Sequence, residues 1–463
     1  MKKEKTEIVI LGAGPGGYMA AFVAAAKGKS VTLVEMDAVG GVCLNRGCIP
    51  SKTLIHATEV MHEALKLSEC GIHFQKPKVV LQELREWKER VVSTLCKGLA
   101  GKLTQKKITI LNGRGFFESE KLLRVETKNG QVFLEFEYAI IATGSSPAIP
   151  AQFDLGSLSV MDSTQALALE DVPTSLLVIG GGYIGMELGF VYANLGSKVT
   201  VVELGSGILM GADPDLVKPV FKKASQLFEN IYLETKVLGL KTEKNKIKVE
   251  FEKEGQKQVE FFDKVLVSVG RSPNSKNMGL KEIGLQLTDQ GFIEVNEHQQ
   301  SVHPHIYAIG DIAGGVLLAH KAYKEAHIAV EHLMGDLTSH RVPLIIPAVV
   351  FTDPELAWCG LTEVEARSKQ MDIDIVKFPW TASGRAMSLN RTDGLTKLIL
   401  EKETGRVLGV GIVGVGCSEL ISEAMVAIEM GATVNDLGMI VHPHPTLSES
   451  LMEAAEQFLH SRT

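Results

Sequence analysis

The feature that most limits what this chain can fold into is an internal duplication. Residues 7–36 read EIVILGAGPGGYMAAFVAAAKGKSVTLVEM and residues 175–204 read SLLVIGGGYIGMELGFVYANLGSKVTVVEL. They align without a gap at an offset of 168, with identities at Gly12/Gly180, Gly14/Gly182, Gly17/Gly185, Gly28/Gly196, Thr32/Thr200 and Glu35/Glu203, among others. Each copy opens on a short run of Ile, Val and Leu, the pattern of a fully buried parallel strand. A G-x-G-x-x-G turn then leads into an apolar helix rich in small residues, and a second buried strand ends in Glu. The first two glycines suit a tight turn and let backbone approach a pyrophosphate; the third suits close helix–strand packing. The carboxylate about 20 residues on can accept hydrogen bonds from ribose hydroxyls. One such glycine motif is an ordinary turn. The whole set in order, twice, predicts two dinucleotide sites, and two sites in one chain imply electron transfer between two dinucleotides.

The rest of the chain is read more coarsely. Its 463 residues require about three domains. The net charge of -7 gives no reason to expect nucleic acid or an anionic membrane as a partner. Met1–Glu7 reads as a short charged lead before a strand from Ile8, not as a targeting segment. The longest apolar region, 175–202, is interrupted by glycines and by Glu187, Asn194 and Lys198, so it predicts a buried βαβ unit rather than a membrane span. No membrane insertion and a cytoplasmic location are expected. Further strands are predicted at 137–143, leading into Ala142-Thr143-Gly144-Ser145; at 265–270, before Arg271-Ser272-Pro273-Asn274; and at 306–311, ending in Gly310-Asp311. Pro343, Pro347 and Pro354 punctuate a linker into a C-terminal part that carries no dinucleotide signature.

Of the six cysteines, only Cys43 and Cys48 cluster, in GGVCLNRGCIPSK. A structural zinc site needs a second ligand pair, which the sequence lacks, so no metal is expected. Two unrelated buried thiols are the bland alternative to a redox pair. Five residues of ideal helix rise about 7.5 Å, beyond the roughly 7 Å a disulfide tolerates, so a bridge requires a distorted turn, which Asn45 and Gly47 permit. Such strain makes a bond easier to reduce. A helix starting near Pro50, together with Lys52, would favour thiolate at Cys48.

A second candidate lies in Val441–Glu449, VHPHPTLSE. A histidine five residues before a glutamate resembles a base with an orienting carboxylate, on a helix beginning near Pro445. Spacing alone favours an exposed loop histidine, and it does not choose between His444 and His442.

GGVCLNRGCIPSK, ATGS, VGRSPN, YAIGD, LAHKA and HPHPTLSE resemble, in order and spacing, the pyridine nucleotide–disulfide oxidoreductases, a resemblance that covers essentially the whole chain. It implies an α/β fold: two Rossmann-like dinucleotide-binding domains plus an α+β C-terminal dimerisation domain. The implied parts are 1–146 for FAD, 147–269 for NAD, 270–343 as a central region returning to the FAD domain, and 344–463 as the dimer interface. Gly12, Gly14, Gly17 and Glu35 would bind the ADP part of FAD, and Gly115, Thr143, Gly144, Asp311 and Ala319 the remainder. Cys48 would be the thiol nearest the flavin and Cys43 the one exchanging with substrate. Lys52 would lie by the flavin ring and pair with Glu187. Gly180, Gly182, Gly185, Glu203, Val237 and Gly270 would bind NAD. His444 of the partner subunit would be the base and Glu449 of the partner subunit its orienter, so a homodimer is implied. Arg46 departs from the pattern, standing where Val is common. The pattern is most similar to that of members oxidising protein-bound dihydrolipoamide. The implied partner is therefore a lipoyl-bearing domain, of an acyltransferase in a 2-oxo acid dehydrogenase complex or of the glycine cleavage H protein. Glutathione- and mercuric-reductase-like members are the rivals, as is a chiefly structural role in a multienzyme assembly. The reductases usually use NADPH, for which arginines would be expected after Glu203; LGSGIL follows instead.

Overall fold

The computed structural model of the chain describes residues 2–336 and 345–461. Both duplicated units are βαβ folds. In the first, strands Val31–Glu35, Lys2–Leu11 and Gly130–Ile141 lie side by side and parallel, with Thr109–Asn112 beyond and Ile306–Ala308 pairing parallel with Gly130–Ile141. In the second, Asn230–Tyr232, Lys198–Val202, Ser175–Ile179, Lys264–Val267 and Val160–Met161 form an all-parallel sheet. Helices cover these sheets, so residues such as Ile8, Ile10, Leu176 and Val178 are wholly buried, as unbroken apolar strands require. An equivalent hydrogen bond closes each glycine turn: Gly12 N to Val34 O at 2.8 Å, and Gly180 N to Val202 O at 2.9 Å.

The C-terminal part folds as an antiparallel sheet ordered Ala348–Val350, Leu356–Gly360, Val407–Val413, Leu395–Glu401 and Ile373–Pro379, with helices Cys417–Glu429 and Glu449–Ser461 packed on it. The α/β class, with two Rossmann-like units and an α+β C-terminal unit, is therefore the architecture observed. No described helix is long and apolar enough to cross a membrane.

Several local expectations are corrected. The charged lead is not a loop: the first strand begins at Lys2, because Lys3–Thr6 pair with Phe133–Phe136, and Lys5 reaches Glu135 at 3.2 Å. The strand expected at 137–143 begins at Gly130, since its first half makes a hairpin with Leu122–Thr127. The strand at 264 stops at Val267, and that at 306 stops at Ala308. Gly310, at φ +76°, turns the chain into a 3₁₀ turn there. The boundary expected at 343–344, with Pro343, lies outside the described residues.

Candidate active site

The carboxyl ends of the first sheet open into a cavity of about 1290 Å³, larger than the roughly 300–1,000 Å³ of ordinary small-molecule pockets. Its walls come from the turns after four strands: Gly12 and Gly14, Met36, Ala142–Ser145, and Gly310–Asp311. Ligands of open parallel sheets bind at this edge, because there the helix N-termini and loop backbone point outward. The helix Pro15–Ala26 has no side-chain cap at its N-terminus. Gly14, its N-cap, has no atom closer than 3.9 Å to where a Cβ would sit, so packing within the protein does not require glycine there. Gly17 is the opposite case. A Cβ there would lie 1.8 Å from Gly12 O, so the third glycine serves the turn itself more than helix–strand packing. The second unit repeats the logic, with Gly185 against Gly180 O at 2.1 Å and open space at Gly182.

Glu35 and Glu203 brace their turns identically. Glu35 accepts from Ala13 N at 2.7 Å and Asp37 N at 2.8 Å. Glu203 accepts from Gly181 N and Gly205 N, both at 2.6 Å. Each oxygen keeps a second lone pair for a ribose hydroxyl.

The cysteines meet this cavity at a break between two helices. Gly41–Arg46 ends at Gly47, whose φ of -142° and ψ of -110° break the helix, and Cys48–Lys66 starts again. The distorted turn falls at Gly47 as expected, but the second helix begins at Cys48 itself rather than at Pro50. Both sulfurs are reduced thiols, and both residues line the cavity. The neighbouring thiol hydrogen bond, Cys43 to Cys48, and the Lys52 ammonium pull Cys48 down to about 7 against its burial; the same hydrogen bond, with burial, drives Cys43 far up. Of the two thiols, Cys48 is therefore the one that ionises first.

Lys52 sits one turn further along the helix. Its Nζ lies 2.8 and 3.1 Å from the Glu187 oxygens and 4.4 Å from the centre of the Phe351 ring. Glu187, nearly buried on the helix of the second unit, also accepts from Phe351 N at 3.0 Å. These three residues join three parts of the chain behind the thiolate. Arg46, between the cysteines, pairs with Asp37, and both line the cavity.

Thr143, Gly144, Asp311 and Ala319 line the same cavity, as do Gly12, Gly14, Glu35, Lys52 and Glu187. Gly17 and Gly115 do not; Gly115 packs against Leu11 and Leu123, and it is its neighbours Gly113 and Arg114 that reach the wall. Gly180, Gly182, Gly185, Glu203, Val237 and Gly270 lie on the second unit away from this lining, with Val237 buried in the strand Thr235–Glu243. Ser145, Arg271 and Asn274 were not anticipated. Asn274 donates to Thr143 O at 2.8 Å and accepts at its own carbonyl from Thr143 Oγ1 at 2.9 Å, latching the ATGS turn. The motifs were visible, but contact between segments 131 residues apart has no sequence signal.

His444 and Glu449 do form a pair, with Nδ1 to Oε1 at 2.8 Å. The helix starts at Glu449, not near Pro445; Glu449 also accepts from Thr446 N at 2.7 Å, which holds its carboxyl below the usual range. The structure separates the two histidines. His444's side chain is 79% exposed, whereas that of His442 is 5% exposed and has both ring nitrogens engaged, by Ile440 O and Glu423. Among the described residues, none that lines the cavity comes from the C-terminal unit, and His444 is not part of the wall that carries the cysteines.

A swivelling of electrons between a bound dinucleotide, a dithiol pair and a second dinucleotide unit is the chemistry this arrangement permits. The chain belongs to the pyridine nucleotide-disulphide oxidoreductase family: residues 6–326 match that family, and residues 346–455 match its dimerisation domain. It is an oxidoreductase. Among curated relatives it is 43% identical over 461 residues to the dihydrolipoyl dehydrogenase of Vibrio cholerae, covering 99% of this chain and 97% of that protein. It is likewise 43% identical over 454 residues to the dihydrolipoyl dehydrogenase of Bacillus subtilis, covering 98% and 96%. Among solved structures, LpdA from Mycobacterium tuberculosis superposes with a TM-score of 0.91 at 27% identity over 98% of this chain and 99% of that one. The flavoprotein disulfide reductase RclA from Escherichia coli does so with a TM-score of 0.88 at 28% identity, covering 98% and 99%.

Proposed function

We propose that this chain oxidises protein-bound dihydrolipoamide to lipoamide and passes the electron pair to NAD⁺, working as a homodimer with FAD. The observation that carries this reading is the placement of Cys43 and Cys48 on the wall of the large cavity, where Lys52 and Glu187 tie the first dinucleotide unit to the second. The full-length similarity to dihydrolipoyl dehydrogenases supports the substrate class.

The lining fits FAD. Gly12, Gly14 and the uncapped helix at Pro15 would hold its pyrophosphate, Glu35 its adenosine ribose, and Thr143, Gly144, Asp311 and Ala319 the remainder. When bound, FAD supplies a two-electron relay between thiols and nicotinamide. The second fingerprint, with Gly180, Gly182, Gly185, Glu203, Val237 and Gly270, would hold NAD. No metal is assigned a role.

The chain's own residues perform the exchange. In the oxidised enzyme Cys43 and Cys48 share a disulfide. His444 of the partner subunit takes a proton from one substrate thiol, with Glu449 of the partner subunit orienting the ring through Nδ1 so that Nε2 is the base. The substrate thiolate attacks the Cys43 sulfur, forming a mixed disulfide and releasing Cys48 as thiolate. The second substrate thiol then attacks its own sulfur partner, closing the lipoamide disulfide and expelling Cys43, which takes up a proton. Lys52 stabilises the Cys48 thiolate against burial. Overall the substrate loses two electrons and two protons, NAD⁺ gains a hydride and one proton is released.

An assay with free dihydrolipoamide and NAD⁺ tests the proposal. NADH formation that is abolished by Cys48→Ser is expected. A protein that turns over glutathione disulfide or mercuric ion with NADPH but not dihydrolipoamide would refute it.

A further inference from the structure

Arg271 and Ser145 lie on the cavity wall beside Asp311, and their hydrogen bonds can run in only one direction. The Arg271 guanidinium gives two donors to one residue: Nε to Ser145 Oγ at 2.7 Å and Nη2 to Ser145 O at 2.6 Å. A guanidinium has no acceptor, so the Ser145 hydroxyl must accept from it. The hydroxyl proton is thereby turned away from Arg271, and it is donated to Asp311 Oδ2, 2.5 Å away. Arg271 Nε itself is 3.8 Å from that carboxylate oxygen. Ser145 is buried and the Arg271 side chain is 10% exposed, so water does not compete for these bonds.

The backbone of the Asp311 turn is fixed independently. Gly310 N donates to Glu325 at 2.7 Å, and Lys321, paired with Glu325 at 2.8 Å, also reaches Gly310 O. The 3₁₀ turn is thus set by the helix Ala319–Leu333, while the side chain of Asp311 is set by Ser145 and Arg271. With Oδ2 taken, Oδ1 is the oxygen left for a ligand in the cavity.

We propose that Arg271 is a positioning residue for FAD, acting through the Ser145 hydroxyl to hold the Asp311 carboxylate with one oxygen facing the bound dinucleotide. Arg271 lies four residues beyond the strand Lys264–Val267 of the second unit, and Asp311 belongs to the first. The relay therefore makes flavin retention depend on a residue of the two-stranded ribbon in which Arg271–Pro273 pairs antiparallel with Ser145–Pro147. This rests on the flavoprotein reading above.

The test uses the purified holoenzyme. FAD release after dilution is followed by the rise in free-flavin fluorescence, and the setting of the bound flavin by visible circular dichroism. Ser145→Ala and Arg271→Gln should each speed release by about ten-fold, the worth of one charge-assisted hydrogen bond in a buried site. The double variant should release no faster than either single one, because both cut the same relay. Arg271→Lys, which keeps the charge but not the fork, should fall between. Altered flavin dichroism should accompany each loss. Release rates and dichroism equal to wild type in Arg271→Gln, or effects of the two substitutions that multiply, would overturn the inference. If Arg271→Gln does not fold, Ser145→Ala alone decides, since it removes one oxygen and leaves the backbone. A wild-type protein that purifies without flavin would instead sink the flavoprotein reading.

Discussion

Replacing Lys52 by Met tests the electrostatics of the redox pair with the least disturbance of shape. In the reduced protein Cys48 ionises at about 7, against an ordinary value of 9.0, and Lys52 is a smaller cause of that depression than the hydrogen bond from Cys43. Loss of the ammonium should therefore raise the Cys48 value; a rise of about one pH unit is equivalent to ~1.4 kcal/mol. At pH 7 the thiolate fraction would fall from about one half to about one tenth, and alkylation by iodoacetamide would slow about five-fold. Glu187 acts in the opposite sense, raising the Cys48 value. Glu187→Gln should move the alkylation midpoint down, and the double variant should sit near wild type. The assay is the pH profile of alkylation in the dithionite-reduced protein, with the modified cysteine identified by peptide mapping. A midpoint unmoved by Lys52→Met, or alkylation that falls first on Cys43, would refute both the role of Lys52 and the assignment of the thiolate.

Three further outcomes are expected. Because Glu203 occupies its turn with a carboxylate and no arginine follows, kcat/KM with NAD⁺ should exceed that with NADP⁺; equal use of the two would remove the cofactor assignment. His444→Gln should slow dithiol–disulfide exchange by about 10²–10⁴-fold with FAD content unchanged, and mixing it with Cys48→Ser chains should recover activity in heterodimers, where one of the two sites is wholly wild type; no recovery after verified subunit exchange would exclude a site shared between subunits. Lys397, wholly buried at 2.6–3.0 Å from Asp213, Asp215 and Glu363, clamps the second unit to the C-terminal unit, so Lys397→Met should destabilise by about 3–5 kcal/mol in denaturant titration, whereas a loss below ~1 kcal/mol would show that the carboxylates are otherwise satisfied.

Much of this protein could be read from its residues in order. Each duplicated unit is largely a local object: the apolar run, the three glycines and the terminal glutamate fall within about 30 residues, and the bonds from Glu35 to Ala13 N and from Glu203 to Gly181 N close inside that span, although Gly12 also packs against Ala142 and Gly180 against Ser268. The spacing of Cys43 and Cys48 likewise predicted a broken turn, and Gly47 supplies it. Element ends were less legible. The first strand extends back to Lys2 only because Val132–Phe136, more than 120 residues away, offers it a partner.

What tertiary structure alone decided is which side chains meet. The Lys52–Glu187 pair, 135 positions apart, was implied only by the resemblance; Phe351 beyond it, Arg271 reaching Ser145, and Ser145 reaching Asp311, over separations of 126 and 166, had no signal at all. His444 and His442 could not be told apart by spacing, since each precedes or follows acidic residues on helices; they differ in exposure and in which ring nitrogens are engaged. The physical reason is common to all of these. A turn or cap is determined by backbone dihedrals and hydrogen bonds within a few residues, so its sequence carries it. A hydrogen bond between distant segments depends on how sheets stack and strands cross, and no residue type at either end encodes the identity of the other.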